Sequence, residues 1–182
     1  MAWRLKKTVV MVGMPGSGKT AVGTALARRL GVEFRDSDEE IVKAANRTIA
    51  EIFERDGEAF FREREAQVLA RLLSGPPGVL STGGGAFLQQ VNRAAISRQG
   101  VSVWLDADLE LLWTRVRHKN TRPLLRTPEP KATLTALHEA RVPFYAEADL
   151  TVKSLPGGSI DNMRDRVLAA LATRPDVLEG AA

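Results

Sequence analysis

The segment Gly13-Met14-Pro15-Gly16-Ser17-Gly18-Lys19-Thr20 has the form G-x-x-x-x-G-K-[ST]. It lies between an apolar run, Val9-Val10-Met11-Val12, and an amphipathic helical pattern. In that setting, strand then glycine loop then helix, the pattern has a physical meaning. Glycines let the backbone turn successive N–H groups inward and form a nest for phosphate oxygens. A helix starting near Gly18 places its partial positive N-terminal charge beneath the same anion. Lys19 is then the residue that reaches the β- and γ-phosphates, and the Thr20 hydroxyl is a Mg²⁺ ligand. Binding of a nucleoside triphosphate follows.

The 182 residues suffice for one domain with a sizeable core. No apolar run is long enough to span a bilayer, and no charged-then-apolar signal segment opens the chain. Absence of cysteine excludes disulfides and thiolate metal sites and makes a cytoplasmic location the expectation. The net charge of +4 is spread along the chain, without the basic stripe and interleaved aromatics that nucleic-acid binding requires. Neither a nucleic acid nor a membrane is an expected partner, and a monomer is the expected state.

Apolar runs alternate with helical patterns, which predicts an α/β domain with a largely parallel sheet. Val22, Leu26 and Leu30 share one helix face that Gly31 ends. Val32 to Phe34 reads as the second strand, with Asp36-Ser37-Asp38 just beyond it. Thr48-Ile49-Ala50-Glu51 reads as a capping box opening a short helix closed by Gly57. A longer helix follows from about Glu58 to Leu73, burying Phe61, Val68 and Leu72. Val79 to Thr82 is the third strand, leading into Gly83-Gly84-Gly85, and Val101 to Leu105 is the fourth. Asp106 reads as the N-cap of the next helix. His118 to Lys131 holds three prolines and no helical period, the signature of a functional loop or lid. A helix over 131–141, a fifth strand at Leu150 to Val152 and a closing helix from Ile160 to Leu171 complete the domain. Residues beyond Arg174 read as a frayed tail.

Parallel α/β sheets bind ligands beyond the carboxyl ends of their strands. The first strand ends in the phosphate loop, the second in Asp36 and Asp38, and the third in Thr82 and the three glycines. Enzymes with this loop need a carboxylate near Mg²⁺, and the third strand offers none. Asp36 and Asp38 are the replacements. Two apart in an extended segment, they would project from one side and serve one site. One would hold Mg²⁺ while the other meets the hydroxyl that accepts phosphate. The alternative is that they cap the helical pattern that follows. Arg62 can pair with Glu58 or Glu65 along its helix.

Taken together these motifs resemble the shikimate kinase family. That family carries the phosphate loop, D-x-D after the second strand, and G-E-x-x-F-R-x-x-E on a helix. It also carries G-G-G after the third strand, R-P-L-L in the lid and R-x-P-x-Y near the end. Here they stand as Gly13 to Thr20, Asp36-Ser37-Asp38, and Gly57-Glu58 through Phe61-Arg62 to Glu65. The remainder are Gly83-Gly84-Gly85, Arg122-Pro123-Leu124-Leu125 and Arg141-Val142-Pro143-Phe144-Tyr145. The resemblance runs from about Val9 to Leu171.

It implies a P-loop NTPase fold of the nucleoside-monophosphate-kinase type: a five-stranded parallel sheet flanked by helices, with a lid loop. A single kinase domain would occupy 1–174, with substrate-binding helices at about 38–73, the lid at about 118–131 and a tail at 175–182. The implied reaction is transfer of the ATP γ-phosphoryl group to the 3-hydroxyl of shikimate, with Mg²⁺, giving shikimate 3-phosphate and ADP. By resemblance, Arg62 and Arg141 would grip the shikimate carboxylate with charge-assisted forks. Asp38 and the backbone of Gly83, Gly84 and Gly85 would place the ring hydroxyls, Asp38 acting as base or as orienting acceptor. Arg122 would arrive with the lid beside Lys19 to stabilise the transferring group. Gly16, Ser17, Gly18, Lys19 and Thr20 would hold the phosphates, Arg115 and Pro156 would frame adenine, and Thr20 and Asp36 would ligate Mg²⁺. Another small-molecule kinase of this fold, such as gluconate kinase, is a close enzyme alternative, and it leaves the D-x-D, F-R-x-x-E and G-G-G set unexplained. A nucleotide-responsive switch is the alternative of another class, although no base-reading N-K-x-D element appears.

Overall fold

Strand β2, Thr8–Val12, is buried along its whole length at the centre of the sheet. The computed structural model, which describes residues 2–117 and 125–180, pairs β2 in parallel with strands on both sides. The five parallel strands are β2, β3 (Phe34–Asp36), β4 (Val79–Ser81), β5 (Gly100–Asp106) and β6 (Leu150–Lys153), in the order β3-β4-β2-β5-β6. A strand covered on both faces must be apolar on both, hence the unbroken Val-Val-Met-Val run. The pleat divides that run between two cores. Val9 and Met11 pack with Leu26 and Val167, whereas Val10 and Val12 pack with Leu69 and Ile96.

Helices α1 (Lys19–Leu30) and α8 (Ile160–Leu171) cover the first face, and α4 (Glu58–Ser74) and α5 (Gln90–Gln99) belong to the second. Helices α2 (Ser37–Ala45) and α3 (Ile49–Asp56) join α4 around a third cluster of Ile41, Ile52, Phe61 and Val68. The Thr48 side chain accepts the Glu51 N–H at 3.1 Å, the capping box read from the sequence. Helix α6 (Leu109–Val116) follows β5, and α7 (Pro130–Tyr145) begins one residue earlier and ends four residues later than read. Because the five strands run one way, all their carboxyl ends open on one edge, where the site lies. Among the described residues no helix is long and apolar enough to cross a membrane.

Several expectations need correction. The second strand begins at Phe34, two residues later than read, and ends on Asp36. Asp106 is the last residue of β5, and the cap position of α6 falls to Asp108. In α4 it is Leu69 and Leu73 that are buried with Phe61 and Val68, while Leu72 is half-buried. Helix α5 gave no apolar stripe to read, because Ile96 is its one fully buried apolar side chain. The residues after Arg174 do not fray as far as Gly180: β1 (Trp3–Leu5) pairs antiparallel with β7 (Leu178–Gly180). Val177 and Leu178 are buried in the first core, so two apolar residues and one ladder hold the end.

Candidate active site

The phosphate loop leaves β2 at Gly13 and enters α1 at Lys19. Gly13, Gly16 and Gly18 all adopt positive φ, a conformation that L side chains resist. A Cβ on Gly16 would also meet Val116 at 2.6 Å. No side chain caps α1, so the loop and its first-turn N–H groups are left to face a ligand. Lys19 arches back over the loop, its Nζ donating to the Gly13 carbonyl at 2.7 Å and the Met14 carbonyl at 3.1 Å. Ser17 is buried beneath, and Thr20 is exposed on the first turn of α1. Arg115 Nη1 donates to the Gly16 carbonyl at 3.1 Å. Beside the loop lies a cleft of about 540 Å³, walled by residues 15–22, Arg115, Gly158, Ser159, Ile160 and Met163. Pro156 is exposed in the same connection, two residues before the part that lines the cleft.

Across the rim, Asp36 ends β3 and caps α2. Its Oδ1 accepts the N–H of Asp38 at 2.9 Å and of Glu39 at 3.2 Å. Asp38 therefore belongs to the first turn of α2 and not to an extended segment, which corrects the geometry expected for the pair. The two carboxylates still share one field, together with Lys19 and Arg62. Burial, and then the neighbouring Asp36 charge, push the Asp38 carboxyl above the ordinary carboxylate range; Lys19 and Arg62 oppose them.

The glycine triplet is matched to three charged heads. A Cβ on Gly83 would meet Asp38 Oδ1 at 2.7 Å, and one on Gly85 would meet Arg62 Nη2 at 2.5 Å. One on Gly84 would overlap Arg141 Nη1. None of the three has positive φ. Their lack of a side chain serves space rather than backbone conformation: the room is filled by the functional groups of α2, α4 and α7. Arg62 donates from Nη1 to Glu65 at 2.9 Å and lies 3.6 Å from Glu58, so both pairings read from the helix spacing occur. Glu65 is 1% exposed, and burial raises its carboxyl while the Arg62 partner lowers it. Arg141 Nη1 and Arg62 Nε are buried without a hydrogen-bond partner among the described residues. Such guanidinium donors are suited to a carboxylate.

Asp38, Lys19, Arg62 and Arg141 thus converge on one rim, where Gly83 to Gly85 form the wall. Arg122 lies outside the described residues. The sequence reading assigned no role to Tyr145, which binds the backbone of this wall, or to Asn92 and Arg93, which bind the backbone just after it. Tyr145 stood inside a quoted motif, but Asn92 and Arg93 carried no motif at all.

The shikimate kinase family model matches residues 15–172. The shikimate kinase of Ruegeria pomeroyi is 71% identical over 96% of this chain and 90% of that protein. The chain belongs to the shikimate kinase family. The shikimate kinase of Cereibacter sphaeroides is 72% identical over 97% of the chain and 88% of its own length. The shikimate kinase from Acinetobacter baumannii, solved in complex with shikimate, shares 39% identity and a TM-score of 0.83, covering 92% of this chain and 94% of that one. A gluconokinase from Sinorhizobium meliloti reaches a TM-score of 0.61 at 20% identity, a likeness of fold alone. As a member of this family, the chain is an ATP-dependent phosphotransferase.

Proposed function

We propose that the chain transfers the γ-phosphoryl group of ATP to the 3-hydroxyl of shikimate, giving shikimate 3-phosphate and ADP. The observation that carries this reading is the pairing of Asp38, Arg141 and Arg62 with Gly83, Gly84 and Gly85 in turn, on the rim shared with Lys19. Two half-buried guanidinium groups suit a ring carboxylate, and one half-buried carboxylate suits a ring hydroxyl. ATP occupies the cleft beside the loop, with its phosphates in the Gly16 to Thr20 cradle and adenine towards Arg115 and the 156–160 connection.

In the reaction the shikimate 3-oxygen bonds to the γ-phosphorus while the bond to the β–γ bridging oxygen breaks and its electron pair leaves with ADP. The hydroxyl proton passes to Asp38. A loose transition state needs little base strength early, so Asp38 first orients the hydroxyl and takes the proton as transfer completes. Burial supports that role by raising the proton affinity of Asp38. Lys19, and by resemblance Arg122, stabilise charge on the transferring oxygens.

Mg²⁺ fits the residues present. No three His, Cys, Asp or Glu side chains gather into an all-protein cage among the described residues. Mg²⁺ instead takes one or two protein oxygens and keeps phosphates and waters as its other ligands. The Thr20 hydroxyl and Asp36, whose Oδ2 is left over from capping, would supply those oxygens. When bound, the ion neutralises charge on the β- and γ-phosphates.

Coupled ADP release with shikimate, gluconate and quinate as acceptors tests the reading. Turnover dependent on shikimate is expected; turnover with gluconate alone, or tight ATP binding with no acceptor-dependent turnover, would overturn it.

A further inference from the structure

The glycine wall is held from behind by side chains that the reaction does not use. Tyr145, the last residue of α7, is 1% exposed and donates its hydroxyl to the Gly84 carbonyl at 2.8 Å. Two residues on, Asn92 Nδ2 donates to the Ala86 carbonyl at 2.9 Å, and Arg93 Nη1 donates to the Phe87 carbonyl at 2.8 Å. Arg93 also ties this segment to the end of α7, lying 3.3 Å from Glu147 and 5.3 Å above the Phe144 ring. The main chain after β4 is therefore pinned at three carbonyls within four residues.

Tyr145 differs from the other two because its helix also delivers a substrate-side group. Arg141 stands one turn earlier on α7, and its guanidinium fills the space over the Gly84 Cα. Gly84 is thus gripped by one helix end on two sides, through its carbonyl by Tyr145 and across its bare Cα by Arg141. The Tyr145 ring lies 6.1 Å from Trp104 of β5, a neighbour that fixes the plane of the phenol. A peptide unit is planar and trans, so committing the Gly84 carbonyl to Tyr145 sets the Gly85 N–H on the opposite side. A phenylalanine would fill the same volume without a buried hydroxyl to satisfy. The hydroxyl therefore acts through its bond to the Gly84 carbonyl and its electrostatic contact with Arg141, and buried polar contacts of this kind specify one geometry.

We infer that Tyr145 is a positioning residue for the acceptor, locking the Gly84–Gly85 peptide to the helix that carries Arg141 so that wall and guanidinium meet shikimate in a fixed register. The inference rests on the acceptor pocket proposed above. It makes Tyr145 a determinant of acceptor capture and not of nucleotide binding, since its contacts lie on the glycine wall and not in the phosphate loop.

Steady-state kinetics of Tyr145→Phe, with each substrate varied in turn, test the inference. The variant keeps the ring and leaves the Gly84 carbonyl unsatisfied. The shikimate KM is expected to rise about tenfold, with the ATP KM within about twofold and kcat within about threefold of the parent. A hydroxyl that served folding alone would lower the melting temperature and the active fraction, cutting kcat at unchanged KM; that outcome overturns the inference. So does a shikimate KM that does not move, or one that rises only together with the ATP KM. Arg141→Ala, assayed in parallel, separates the two levels. If it leaves the shikimate KM unchanged, the acceptor pocket itself is misplaced; if it raises KM while Tyr145→Phe does not, only the role of Tyr145 falls.

Discussion

A methyl group on Gly83 would come within 2.7 Å of one Asp38 carboxylate oxygen and 2.9 Å of the other. The atoms in the way are the end of a side chain, not backbone, and the φ angle of Gly83 is one that alanine adopts freely. Gly83→Ala should therefore fold, melting within a few degrees of the parent, while Asp38 swings off its position and kcat falls about a hundredfold or more. Gly84→Ala and Gly85→Ala displace Arg141 and Arg62 instead, and should raise the shikimate KM about tenfold or more each. Thermal melts beside steady-state kinetics check this, and an unfolded Gly83→Ala would show that the residue serves the backbone.

Glu65 is the tether of Arg62, and its carboxylate is deeply buried at 2.9 Å from Nη1. Glu65→Gln keeps an acceptor at that place, whereas Glu65→Ala frees a long side chain with large rotamer entropy. The glutamine variant should stay within about threefold of the parent in shikimate KM, and the alanine variant should exceed tenfold. Equal effects in the two variants would mean that charge, and not the tether, matters.

How much of this could be read beforehand depended on whether a residue's role was local. Lys19 and the loop glycines are located by contiguous sequence, and the strand, glycine loop and helix lie where they were read. Both partners of Arg62 follow from helical spacing, i−4 to Glu58 and i+3 to Glu65. Asp36 and Asp38 were found together but with the wrong backbone, because a helix begins at Ser37 without a break after the strand. The glycine triplet was read as bare backbone for a ligand. Its matching to Asp38, Arg141 and Arg62 is a tertiary fact that no spacing encodes. The same holds for Asn92 and Arg93 on a helix without an apolar stripe, and for the Leu178 strand that closes on Trp3.

The proposed Mg²⁺ site, Thr20 and Asp36, predicts a particular metal dependence. With one hydroxyl and one partly engaged carboxylate available, the chain alone should hold Mg²⁺ weakly and gain affinity when ATP supplies phosphate oxygens. EDTA should abolish turnover, with recovery on adding back Mg²⁺. Asp36→Ala should raise the Mg²⁺ concentration for half-maximal rate and also lower the melting temperature, since α2 loses its cap at a cost of about 1 kcal/mol. Unaltered Mg²⁺ dependence in that variant would remove Asp36 from the metal site.

Arg122 comes to the site by resemblance, as a lid group acting on the transferring phosphoryl. If its contact strengthens in the transition state, Arg122→Ala should lower kcat by about a hundredfold or more and leave the shikimate KM within a few-fold. A change confined to KM would place Arg122 among the ground-state binding groups.

Asp38 is expected to trade stability for turnover. Its folded carboxyl holds a proton more tightly than in the unfolded chain, mainly through burial and then through Asp36. A carboxyl raised in this way makes the folded state bind more protons than the unfolded state between the ordinary aspartate value of 3.8 and the raised value. Stability from this group therefore falls as pH rises through that window, and the deficit persists at neutral pH. Asp38→Asn removes the ionised form, so the variant should melt above the parent at neutral pH, with the gap closing as pH falls through the window. In the parent, kcat should decline on the acid side at a pH above that of an ordinary aspartate, because the protonated group cannot accept from the shikimate hydroxyl. In Asp38→Asn, kcat should be lower by about a hundredfold or more, with ATP affinity intact. Melting curves and kcat across the acid range, measured on both proteins, read the two effects separately. A variant less stable than the parent at neutral pH would show that the attraction of Lys19 and Arg62 outweighs burial, and kcat near that of the parent would remove Asp38 from the reaction.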